Sequence, residues 1–124
     1  MPDSEGYVSV GEGYVGDRNK VKVTVVKMLN TEDIYGDDRK TETVKEFATR
    51  CPKFKEGQEF IVKKDLGKPE DFCSTAWCHI HEGIKLLSYG AHFPGMQKDK
   101  FICYECCTDG LRPVFFRLER VLGP

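Results

Sequence analysis

The sequence predicts an α+β fold, a small and mostly antiparallel sheet with one main amphipathic helix packed across it. Two patterns carry this expectation. Val21, Val23 and Val25 alternate with Lys22 and Thr24, the period of two that marks a half-buried strand. Between residues 70 and 89, Cys73, Trp77, Ile80, Ile84 and Leu87 recur at spacings of four, three, four and three, which places them on one helical stripe. Such a stripe needs a surface to cover, and strands near 21–28, 58–63, 100–106 and 114–121 would supply it. Trp77 is therefore expected to be largely buried.

At 124 residues the chain suits one domain able to bury a core without covalent staples. Residues 1–19 read as a glycine- and tyrosine-rich extension, and residues 20–124 as the domain itself. The 19 basic and 20 acidic side chains leave a formal charge of -1. No global field then recruits nucleic acid or an anionic membrane. No apolar run is long enough to cross a bilayer, and residues 1–6 are acidic where a signal peptide would be basic and then apolar. A cytoplasmic location is expected.

Taken in order, the extension holds a near-repeat, Glu5-Gly6-Tyr7-Val8 and then Glu12-Gly13-Tyr14-Val15. Gly11 to Gly16 also matches G-x-G-x-x-G. A dinucleotide site needs a helix to open directly after those glycines, and a strand follows instead. Residues 29–43 are polar around Gly36 and predict a surface loop with room for a helical turn. Cys51-Pro52 ends the next short segment, because the residue before proline is pushed out of the helical region. Phe54 to Val62 then reads as a glycine turn feeding a second strand, which Asp65 to Pro69 breaks.

The helix is expected to open near Pro69, with Glu70 and Asp71 at the positive end of its dipole, and to stop at Gly90. Phe93-Pro94-Gly95 turns the chain toward a final hairpin. In that hairpin Asp109-Gly110 is the turn signal, Pro113 suits the start of a strand, and Val114, Phe116 and Leu118 share a face.

The chemistry lies with six cysteines. In a reducing compartment they point to metal binding, thiol chemistry or plain burial rather than to a disulfide framework. Cys103-Tyr104-Glu105-Cys106 has the C-x-x-C spacing with which two thiolates grip one ion, although no equally spaced second pair exists. Cys78 and His81, three apart on the helix flank, form another candidate pair. Cys51, Cys73 and one of Cys106 or Cys107 come from separate segments that can converge on an iron–sulfur or zinc site if helix and hairpin meet. The contrary reading is that free cysteine is simply among the most buried residue types.

Asp109 and Arg112 beside the thiols can contact an anionic substrate or form a turn cap and an ion pair. Catalysis without metal has little to carry it, since G-x-S-x-G, H-E-x-x-H and paired-carboxylate motifs are absent. The second function class is a non-catalytic interaction module, its cysteines merely buried, that contacts a protein partner.

Over about residues 20–121 the chain resembles a family of small, functionally uncharacterised cysteine-containing proteins found mainly in anaerobic bacteria and archaea. The resemblance rests on Val21 to Val25, on Cys51-Pro52 with Phe54 to Phe60, on Phe72-Cys73 before Ala76-Trp77, and above all on Cys106-Cys107-Thr108-Asp109-Gly110-Leu111-Arg112-Pro113-Val114. It implies a dispersed four-cysteine site of Cys51, Cys73, Cys106 and Cys107, while Cys78, His81 and Cys103 stand outside the pattern. An anaerobic setting suits an oxygen-sensitive cluster. Because neighbouring strand residues diverge, Cys106 is expected to point inward with Ile102 and Tyr104, and Cys107 to sit at the turn within reach of solvent.

Overall fold

β1 (Lys20–Met28) is the strand on which the rest is assembled. In the computed structural model, which describes residues 18–36, 50–91, 101–107 and 109–122, it lies inside a four-stranded sheet. β2 (Glu59–Val62) pairs with it on one side and β4 (Val114–Val121) on the other, while β3 (Ile102–Cys106) is added outside β4. Every pairing is antiparallel. The alternating valines explain the position: Val21, Val23 and Val25 are all fully buried, opposite inward residues of β4 such as Leu118 and Phe116. A register shift between Val25 and Lys27 then returns Met28 to the inner face, opposite Val114.

α1 (Thr31–Tyr35) occupies the start of the expected polar loop. Asn30 caps it, its Oδ1 accepting the Asp33 N–H while the Asp33 carboxylate accepts the Asn30 N–H. This reciprocal capping box is what lets so short a helix hold.

α2 (Ser74–Ser88) covers the sheet. Its buried positions are Ala76, Ile80, Gly83, Ile84, Leu87 and Ser88, which follow the expected stripe through its centre. The start is four residues later than the sequence suggests. Asp71 adopts φ +68, which no α-helix accommodates, so the chain turns there and Cys73 becomes the extended N-cap. Cys73 and Trp77 consequently sit at the edge of the covered area, where Trp77 is partly buried against the core.

Among the described residues the deepest aromatic is Phe116, whose ring meets Phe54 at 5.3 Å and Phe72 at 5.8 Å between centroids. At Gly83 helix and sheet approach so closely that a Cβ would lie 2.7 Å from Glu105 Oε2 and 3.1 Å from Leu118 Cδ1.

Gly90, at φ +99, ends the helical turn as expected. A second device closes the same end. The Arg120 guanidinium reaches across from β4, donating from Nε to the Leu87 carbonyl at 2.7 Å and from Nη2 to the Ala91 carbonyl. It also lies over the Phe101 ring. A cation held on the last carbonyls of a helix is favourable twice, through hydrogen bonding and through the dipole. Arg120→Ala should therefore lower stability by about 1–2 kcal/mol, and Arg120→Lys should recover only part of this. Equal denaturant midpoints for the three proteins would remove Arg120 from this role.

Among the described residues, no helix covers the outer face of the sheet. It combines a row of ion pairs, Lys22 with Glu59 and Glu119, and Arg117 with Glu119, with the exposed apolar side chains of Ile61 and Tyr104. Among the described residues, no helix is long and apolar enough to cross a membrane. The near-repeat, the G-x-G-x-x-G pattern, residues 37–49, His92 and Phe93-Pro94-Gly95 lie outside the described residues.

Candidate functional site

The run from Cys106 to Val114 links β3 to β4, and Asp109 organises it. Its Oδ1 accepts the N–H groups of Leu111, at 2.9 Å, and Arg112, at 3.2 Å, so the side chain substitutes for a backbone turn. Its Oδ2 lies 3.9 Å from Arg112 Nε. The loop is fastened from outside as well. Thr31 Oγ1 donates to the Leu111 carbonyl, and the Leu29 N–H donates to Pro113. Asp109 and Arg112 are thus a turn cap and an ion pair, and their polar groups are engaged within the loop.

This loop fixes the direction of Cys107. The Cys107 N–H donates to the Val114 carbonyl, which continues the ladder one residue past β3. Val114 faces the core, and so does Cys107, only 7% exposed. Cys106 pairs with Phe115 between the inward Val114 and Phe116, which puts it on the outer face. The expected orientations are therefore reversed. The inward set of β3 is Cys103 and Glu105, continued by Cys107, whereas Tyr104 is exposed. The apolar appearance of Ile102 and Tyr104 misleads because β3 is an edge strand with a solvated outer side.

Cys51 and Cys73 pack at the border of the same core, one from the segment before β2 and the other from the N-cap of α2. Both lie close enough to Cys107 for their charges to act on it. Burial pushes the Cys107 thiol up; a hydrogen bond from the Asp109 backbone N–H opposes this, and the charges of Asp109, Cys73 and Cys51 reinforce it. Three of the four cysteines in the dispersed pattern thus border or enter one core, without forming a metal-holding group. Cys106 is turned to the opposite side of the sheet.

The remaining candidates do not join them. Cys103 is buried opposite Leu118, its thiol raised from an ordinary 9.0 to about 11 by burial and then by the Glu105 carboxylate. Because Cys103 and Cys106 are an odd number of strand residues apart, they face opposite ways, and the C-x-x-C spacing brings no pair together. Burial and then the Glu105 charge also raise Cys106. Glu105 is itself raised by burial and by Glu82. On the helix flank Cys78 is exposed, while His81 stacks on Trp77 with ring centroids 5.1 Å apart. Among the described residues, no three His, Cys, Asp or Glu side chains already stand in the arrangement of a metal site.

The Asp109 hydrogen bond to sulfur and the Thr31 clamp were not anticipated. A signal existed for the second: Asn30 followed by Asp33 at the third helical position is a capping-box spacing, and it starts the helix that carries Thr31. No family model matches the chain, and no match was found among curated proteins or solved structures.

Proposed function

We propose that the protein holds a thiolate-ligated metal centre, zinc or an iron–sulfur cluster, on Cys51, Cys73 and Cys107. One observation supports the reading: Cys51 and Cys73, from two separate segments, pack against the same core in which Cys107, from a third, is buried. Thiolates brought together from these segments would repel one another unless a cation lay between them. A soft cation answers that need, taking thiolate sulfurs at about 2.3 Å. The backbone N–H that Asp109 directs at the Cys107 sulfur is the kind of donor that favours a ligating thiolate.

Metal uptake would draw the three side chains together from their present positions, releasing the Cys107 proton and adding the binding energy to folding. The test is anaerobic purification followed by assay of zinc, iron and acid-labile sulfide. Near-stoichiometric metal is expected in the parent and in Cys78→Ser, and strongly reduced metal in Cys51→Ser, Cys73→Ser and Cys107→Ser. Parent protein that carries no metal, and gains no thermal stability from added zinc or from cluster reconstitution, would sink the reading.

A second reading, a non-catalytic interaction module, has its own observation in the outer sheet face, where Ile61 and Tyr104 are 46% and 57% exposed. A protein partner would cover them. The same metal assay separates the two. We assign the chain to the cytoplasm, a reducing setting in which its free thiols persist. We also keep kinship with the anaerobe family as a proposal, resting on the run from Cys106 to Val114.

A further inference from the structure

We infer that the free edge of β2 docks an extended peptide, which adds one more antiparallel strand to the sheet and carries acidic, apolar and basic side chains at alternate positions. This site is separate from the cysteines and from the outer face of the sheet.

The register fixes which backbone groups are free. The Val25 N–H donates to the Gln58 carbonyl at 2.9 Å, so Thr24 and Glu59 form a non-hydrogen-bonded pair and the next exchange falls on Val23 and Phe60. Phe60 and Val62 therefore turn their N–H and C=O groups to β1, while Glu59 and Ile61 turn theirs away from it. β2 is the last strand on its side, and among the described residues nothing pairs with that edge. Such a row is a template for another strand.

Beside the edge lies a hollow of about 390 Å³, walled by Ile61 and Lys63 and by Asp65, Lys68, Pro69 and Glu70 of the following loop. Its described walls include no residue of β1, so it opens on the free side of β2. The loop is held in shape from within. The Leu66 N–H donates to the Lys63 carbonyl at 2.9 Å, the Gly67 N–H to Asp65 Oδ1 at 3.0 Å, and Lys68 Nζ to the Phe72 carbonyl at 2.8 Å. A site shaped before its ligand arrives loses less on binding.

The side chains select the sequence of the peptide, since directly opposed residues on two strands pair by kind. Ile61, 46% exposed, takes an apolar partner. Lys63 is exposed and takes a carboxylate. Glu59 meets Lys22 at 3.8 Å on the β1 side and keeps 55% of its side chain exposed for a second cation. Because an antiparallel peptide runs from Lys63 toward Glu59, its own order is acidic-x-apolar-x-basic.

NMR titration of the isotope-labelled full chain with the capped peptide Thr-Glu-Thr-Val-Thr-Lys-Thr tests this. Shifts are expected at residues 59–63 and in the loop after β2. The charge-swapped peptide Thr-Lys-Thr-Val-Thr-Glu-Thr should bind roughly tenfold more weakly, as two opposed pairs become like-charged. Ile61→Pro, which removes an edge N–H and spares the ladder to β1, should abolish binding. Lys63→Glu, at an exposed position, should weaken it and reduce the preference between the two peptides. Shifts at β3 instead, equal affinity for both peptides, or no binding at millimolar peptide overturns the proposal. Self-association of the parent that Ile61→Pro abolishes would give the edge to a second copy and overturn it equally.

Discussion

Phe116→Ala should lower folding stability by about 3–5 kcal/mol, the range for deleting a buried aromatic side chain. Phe116 is fully buried at the centre of β4, and its ring contacts Phe54 and Phe72, which arrive from the segment before β2 and the segment before α2. Removing it opens a cavity where sheet, helix entry and loop meet, and the rigid sheet backbone cannot collapse into the space. Trp77→Ala should cost distinctly less, since that residue is only partly buried, packed against the edge of the core. Urea denaturation of the two variants checks the order. A Trp77 variant less stable than the Phe116 variant would mean that the core is centred on the helix edge.

Between pH 9 and 11 the protein should lose roughly 2–3 kcal/mol through Cys103 alone, at about 1.4 kcal/mol per pH unit. The sign follows from proton occupancy. Below pH 9.0 the thiol is protonated in both folded and unfolded chains, and its contribution is fully present. Above that value the unfolded chain releases its proton, while the folded chain keeps it to about pH 11, because burial and Glu105 disfavour the thiolate. Stability therefore falls as pH rises through this window and levels off above it. Cys106 and Cys107 are raised in the same direction, so the effect of Cys103 is the difference between parent and Cys103→Val. Parallel stability curves for the two proteins across pH 8–11 would show that Cys103 does not carry the alkaline loss.

The strands and the main helix were legible because their patterns are periodic and their burial is one-sided. Val21 to Val25 and Val114 to Leu118 each present one apolar face, and the four-stranded antiparallel sheet with α2 across it follows from them. The helix start was not legible, since Pro69, Glu70 and Asp71 are all favourable residues for a first turn, and the positive φ of Asp71 is imposed by the path of the loop. The site was half legible. That Cys51, Cys73 and Cys107 adjoin one core required only that helix and hairpin meet, but the facing of Cys106 and Cys107 depended on strand phase. That phase is set by the ladder to β4, a long-range pairing. Glu105 turned inward and Tyr104 turned outward are the inversion that an edge strand permits.

The placement of β1 between β2 and β4 has a consequence for how the chain reaches its native state. Val23 is paired with Leu118, so the innermost ladder joins the beginning of the domain to its end. Until residues 114–121 have been synthesised, β1 has only the four-residue β2 as a neighbour, and its valines have no Phe116 or Leu118 to pack against. Closing that contact carries the entropy of a loop spanning nearly the whole domain before any core forms. Folding should therefore begin only once the last strand has left the ribosome. Nascent chains stalled before β4 should expose an apolar strand that chaperones recognise.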